Sequence, residues 1–338
     1  MNKLDSMLGI ASSQQLLRLI ALTKDEAMVA KLVEGMGPGR ALTLMDAGLT
    51  AEHAIALDRL GEDAVRAFKS IAATGDAEAI AGAAELLRLN QQGGHLGSDV
   101  VAVALQQTAA FGEKYAGRVS GDFASRFAQV AREEAKVARI QEKIDSLRTA
   151  RMPTADAEKS LAKAKASLTR ARAEVNAATD ILEGRTVFGE GRSVRAIPES
   201  KIEGVETPEF VVTGGGKPDA IAEVKAIGDA EGRIGKDAIQ RNFRKAASQI
   251  SAQAAAKHET GGLVRLDAGN GTFPQTNAEI IDKVKGQWME SITKNPARKK
   301  DIGWVEILDK GPAGESRRLL LTVEGNNVAI DVAGTTRR

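Results

Sequence analysis

Near residue 184 the hydrophobic period of this chain changes, and no other feature limits its fold more. Up to Glu183-Gly184-Arg185 almost every segment is rich in Ala and Leu and repeats at helical spacing. Beyond that point come Gly clusters, Pro198, Pro208, Pro218 and β-branched runs such as Phe210-Val211-Val212-Thr213, Leu319-Leu320-Leu321-Thr322-Val323 and Val328-Ala329-Ile330-Asp331-Val332. A segment written at a period of 3.6 cannot present one apolar face as a strand, nor one of period two as a helix. The 338 residues are therefore expected to be multidomain. The expected parts are an all-α region over 1–120, an antiparallel helical hairpin forming a coiled coil over 121–184, and an α/β domain with a mixed sheet over 185–338.

Within the helical part, Thr23-Lys24-Asp25-Glu26 reads as a capping box opening a helix that stops at Gly35-Met36-Gly37-Pro38-Gly39. Thr50 opens the next helix, and Gly75-Asp76 and Gly93-Gly94 separate later ones. From 121 to 183 two long helical patterns flank one break at Met152-Pro153-Thr154, which predicts the hairpin. Its second arm spaces Leu161, Leu168, Val175 and Leu182 seven apart, with Ala164, Ala171 and Ala178 between them. That period predicts a seam against a partner helix. Phe123, Phe127, Val130, Val137, Ile140, Ile144 and Leu147 of the first arm are the expected partners. In the last part, helices are expected at about 235–257 and 276–292.

Composition excludes some chemistry. There is no cysteine, so disulfides, thiolate metal sites and a cysteine nucleophile are out, leaving carboxylates and three histidines as candidate ligands. His53, His95 and His258 are far apart and have no metal-ligand spacing. With Lys plus Arg at 47 and Asp plus Glu at 45, the near-neutral balance neither requires nor excludes a nucleic-acid partner. No apolar run approaches the roughly 20 residues of a membrane span, and the first residues do not continue into a signal-peptide core. Gly214-Gly215-Gly216-Lys217 lacks the spacing and the Ser or Thr of a phosphate-binding loop.

The candidate chemistry lies in 207–225. Two apolar strands flank Gly-Gly-Gly-Lys-Pro, which predicts a β-hairpin. Side chains alternate along the second strand, so Asp219, Ile221, Glu223 and Lys225 share a face. With the turn over 214–218, Thr213 pairs with Asp219 and Glu209 falls opposite Glu223, partners in such a pair being about 4.5 to 5.5 Å apart at Cβ. Carboxylates this close stay ionised together only with a cation between them. Asp219, Glu223 and Glu209 are thus candidate ligands of a divalent metal, magnesium or manganese by their oxygen donors, with Asp219 expected as the likelier direct ligand and Glu209 dependent on the hairpin register. Lys225 is the candidate group to position the attacking water or to stabilise charge on phosphorus.

Pro208-Glu209 followed one strand later by Glu223-Val224-Lys225 resembles the PD-(D/E)XK nuclease superfamily over about 90 residues. Glu209 stands where the superfamily has aspartate, and a second pair, Pro218-Asp219, lies four residues before Glu223. The resemblance implies a restriction-endonuclease-like fold and catalytic roles for Glu209, Asp219, Glu223 and Lys225. It also implies a following helix that supplies substrate-binding residues, here Gln240, Arg241, Arg244 and Lys245, with Gln249 on the same helix. Zinc is admissible beside magnesium and manganese. The stretch from Gly204 to Asp219 also resembles the C-terminal nuclease domains of contact-dependent growth inhibition toxins. That resemblance implies a bacterial protein, secreted or delivered and active in a target-cell cytoplasm. Its expected partners are nucleic acid, transfer RNA ahead of DNA, and a cognate immunity protein. A DNA endonuclease of the same fold is the alternative within the class. In the rival class the chain is a non-enzymatic helical interaction scaffold, with Glu223 and Lys225 a strand-surface ion pair. Lys294, Arg298, Lys299 and Lys300 are either a solvated helix end or a phosphate-contacting patch.

Overall fold

The structure, a computed structural model, describes residues 13–92, 96–198, 207–227, 234, 235, 237–257, 261–269, 271–273, 275–310 and 316–330. Gly93-Gly94, His95 and His258 lie outside them. The chain forms two compact units, 1–132 and 133–338.

The first unit is helical: α1 (Ser13–Thr23), α2 (Glu26–Met36), α3 (Pro38–Asp46), α4 (Ala51–Arg59), α5 (Glu62–Ala73), α6 (Ala77–Gln91), α7 (Ser98–Lys114), a short strand β1 (Val119–Gly121) and the start of α8 (Phe123–Thr149). Its punctuation follows the side chains. Thr50 accepts a hydrogen bond from the His53 amide and opens α4, and Asp76 accepts from the Glu78 and Ala79 amides and opens α6. Gly37 ends α2 at φ 76°, with Pro38 as the first residue of α3. The expected capping box at Thr23 is corrected. Thr23 closes α1, its hydroxyl donating to the Leu19 carbonyl, while Asp25 caps α2 by accepting from the Ala27 and Met28 amides. A carboxylate two residues nearer the helix also meets the positive end of the helix dipole, which Thr23 does not.

The break at Met152-Pro153-Thr154 separates α8 from α9 (Ala155–Leu182) as expected. Arg148 pairs with Glu158 at 3.1 Å and Arg172 with Glu134 at 2.6 Å, tying the arms together. The seam differs from the expected one. Phe123 and Phe127 pack their rings against Phe111 within the first unit, tilted and edge-on, at centroid distances of 5.0 and 5.5 Å. The part of α8 in the second unit buries Ile144, and α9 buries Ala164, Ala171 and Ala178 more deeply than Leu161, Leu168 and Val175. The reason is a second surface to satisfy: α9 also packs on the sheet, against β2 and β4.

That sheet belongs to the second unit and runs β2 (Arg192–Ala196), β3 (Phe210–Gly214), β4 (Ala220–Ala226), β5 (Gly262–Asp267), β6 (Ile302–Lys310), β7 (Ser316–Glu324), β8 (Asn327–Ile330) in chain order. It is mixed. β4–β5 and β5–β6 are parallel and the remaining pairs from β2 to β8 antiparallel. The parallel steps need helical crossovers, and α10 (Ala238–Lys257) and α11 (Asn277–Lys294) provide them. Ile239, Phe243, Ala246 and Ile250 of α10 join Val284 and Trp288 of α11 and Ile221, Val264, Val305 and Leu321 of the sheet in one core. A helical region followed by an α/β unit with a mixed sheet is therefore the architecture. Among the described residues no helix is long and apolar enough to cross a membrane.

Candidate active site

β3 and β4 form the expected hairpin, and the register is the one the glycine run implies. Phe210 faces Ala222, Val211 faces Ile221 and Val212 faces Ala220, so the next pair outward is Glu209 with Glu223. Gly214, Gly215 and Gly216 all have φ between 65° and 80°, a region closed to most side chains. Arg192 of β2 braces the turn from beneath. Only 1% exposed, it donates to the carbonyls of Gly214, Val212 and Pro218 at 2.6, 3.1 and 2.9 Å.

Glu223 is fully buried at the centre of this arrangement. The Glu209 amide donates to Glu223 Oε2 at 3.0 Å, and the Lys225 ammonium lies against Oε1. Burial, reinforced by the charge of Glu209 and opposed by Lys225, pushes the Glu223 carboxyl up to about 8. Glu209 is half-buried and Lys225 is 15% exposed. Gln249 of α10 donates to the Thr207 carbonyl at 3.0 Å and pins the chain just ahead of Pro208-Glu209. The acid at the head of β3 is thereby held from two directions, by the hairpin ladder and by α10.

Of the sequence candidates, Glu209, Glu223 and Lys225 come together and Asp219 does not. Asp219 is exposed just before β4, and its charge acts on Arg192. Sharing a face is not sharing a place: four residues along a strand is about 13 Å. The expected gathering of Asp219 with Glu209, Glu223 and Lys225 is therefore not what the structure shows. On α10, Gln240 is half-buried, while Arg241, Arg244 and Lys245 are exposed. The hydrogen bond and charge of Lys294, with a smaller contribution from the charge of Arg244, hold the Glu290 carboxyl of α11 below its ordinary value. His53 sits on α4 in the first unit, its imidazole held below its ordinary value mainly by burial. Lys294 pairs with Glu290 at 2.6 Å, and Arg298, Lys299 and Lys300 end a short 3₁₀ turn on the surface.

Sequence reasoning missed Arg192 and Gln249 as braces, and a buried network of Asp180, Arg265, Glu306 and Arg318 on the opposite face of the sheet. A signal was present, since Arg265 interrupts Gly262-Leu263-Val264 and Leu266 in the same way that Glu223 interrupts β4.

Among the described residues no three His, Cys, Asp or Glu side chains gather in a metal-holding group. The charge of Glu209 does act on the Glu223 carboxyl. Magnesium is commonly held by one or two carboxylates, with water and substrate phosphate completing its shell, so Glu209 and Glu223 fit a hard divalent cation of that kind. Comparison with protein-family models, with curated proteins and with solved structures returned no match.

Proposed function

We propose that the second unit is a metal-dependent nuclease with a PD-(D/E)XK-like fold, hydrolysing phosphodiester bonds at Glu209, Glu223 and Lys225. One observation carries the reading. A fully buried carboxylate sits mid-strand against a lysine and beside a second acid, in an otherwise apolar strand. A stable domain gains little from such a burial, because desolvating the charges costs as much as their attraction returns. A reaction site gains a preorganised charge.

Glu223 and Glu209 would hold the divalent cation, which when bound polarises a phosphoryl oxygen and acidifies water. Lys225 is placed to orient the nucleophilic water or to meet negative charge developing on phosphorus. Arg241, Arg244 and Lys245 offer the backbone-contacting cations of the exposed face of α10. The resemblance to contact-dependent growth inhibition toxins makes transfer RNA the first substrate to test and a cognate immunity protein the partner to seek. On that reading the site of action is a target-cell cytoplasm.

Incubation of the full chain with total transfer RNA and with plasmid, with and without magnesium or manganese, tests the proposal. Magnesium-dependent cleavage that disappears in Glu223→Gln is expected. Undiminished cleavage in that variant would remove the site, and no cleavage of either substrate with either ion would leave the non-enzymatic scaffold as the better reading.

A further inference from the structure

The second unit has a half-open cavity of about 440 Å³ between α9 and the ends of β5, β6 and β7. It is separate from the Glu223 site. Arg265 in its wall alternates with Val264 and Leu266, which belong to the core under α10 and α11, and pairs instead with Asp180 of α9 at 2.8 Å. Six cationic side chains line the cavity, Arg172, Arg185, Arg265, Lys310, Arg317 and Arg318, against three carboxylates, Asp180, Asp267 and Asp309. Glu134, Glu183 and Glu306 from outside the lining also pair with these cations, and the carboxylates hold them in fixed poses. Asp180 also takes Arg185 at 2.7 Å, Asp309 takes Arg317 through two hydrogen bonds of 2.7 and 2.6 Å, and Glu306 in the strand beneath takes Arg318 and, at 3.4 Å, Arg265.

Two further facts point to an anion. Arg265 is 3% exposed, and its Nε is a buried donor with no hydrogen-bond partner, as is that of Arg318; leaving such donors unmet is costly. The cavity also lies at the carboxyl ends of the parallel strands β5 and β6. We propose that it binds a small molecule bearing phosphate groups, of nucleotide size. Guanidinium forks match phosphate oxygens two at a time, and the volume falls in the range of about 300 to 1,000 Å³ typical of small-ligand pockets. The inference does not depend on the nuclease reading.

Calorimetric titration of the full chain with inorganic phosphate, pyrophosphate and ATP tests it, on the wild type, on Arg172→Gln and Lys310→Gln singly, and on the pair. Arg172 is 53% exposed, so its removal leaves no buried charge behind. Saturable binding is expected, tighter for pyrophosphate and ATP than for phosphate, and at least tenfold weaker in the double variant at unchanged melting temperature. Absence of saturable binding for all three probes would overturn the proposal, as would equal affinity in wild type and every variant. Displacement of bound ATP by transfer RNA would also overturn it, making the cavity part of a nucleic-acid surface.

Discussion

Burying Glu223 costs the folded domain stability whenever its carboxyl is ionised, and this links the site to pH. The ordinary carboxyl value is 4.5 and the buried one about 8. Between these limits the folded state keeps a proton that the unfolded chain has lost, so the contribution of Glu223 to stability falls as pH rises from about 4.5 to about 8 and is level above that. Glu223→Gln is expected to remove this slope. Its melting temperature should exceed that of the wild type at pH 8 and match it near pH 4.5, and a variant less stable than wild type at pH 8 would refute the assignment. The same variant should lose cleavage, since the amide keeps the shape and not the charge. Added magnesium should release protons near neutral pH, because cation and proton compete for the same oxygens. For the second acid, Glu209→Gln is expected to lower cleavage at least tenfold and Asp219→Asn less than threefold, read as initial rates on one substrate; the reverse order would return Asp219 to the metal. Lys225→Ala should lower turnover while leaving cation affinity, measured by titration, nearly unchanged. The acid-x-Lys pattern was legible because charge inside an apolar strand is expensive and therefore conspicuous. That Asp219 stands apart from Glu223 was not, since alternation tells which face a side chain shares and not how far along it lies.

Among the elements, the β3–β4 hairpin was readable in full. Three glycines followed by Lys-Pro admit few turns, and once the turn is placed the pairing of every residue down to Glu209 and Glu223 follows by counting. Its brace was not readable. Arg192 looks like an ordinary strand cation beside Ser193, and only the fold shows its guanidinium meeting three carbonyls of the turn. Arg192→Met keeps much of the bulk and removes the donors, leaving buried carbonyls unpaired. The expected cost is about 3 kcal/mol in urea unfolding, together with a loss of cleavage as the Glu209 register loosens. Full stability and full activity in that variant would show the turn to be held by its glycines alone. The helical hairpin was legible in its break and its length. Its packing was not, because a seven-residue period records that a helix has neighbours without saying whether they are a helix, a sheet or both.

At the scale of the molecule, the sequence boundary at residue 185 and the structural one at 132 make different demands on α9. The core of Ile221, Phe243, Trp288, Leu321 and their neighbours lies wholly within 133–338 and gives that segment the means to fold alone. The opposite face of the sheet depends on α9, which covers β2 and β4 and brings Asp180, itself buried, to the 3%-exposed Arg265. Cutting at 185 would remove that carboxylate and uncover the face it lies on. Removing one partner of a buried ion pair typically costs about 3 to 5 kcal/mol, a large share of the roughly 5 to 15 kcal/mol available to a domain. The fragment 133–338 is therefore expected to unfold in one cooperative urea transition. The fragment 185–338 should unfold at lower urea, with a broadened transition and binding of an apolar dye before it. Asp180→Asn in the longer fragment separates the two causes. If the ion pair dominates, this variant should reproduce most of the loss; if covering the sheet dominates, it should reproduce little of it. Coincident transitions for the two fragments would show that α9 is an appendage and that the α/β unit begins at β2.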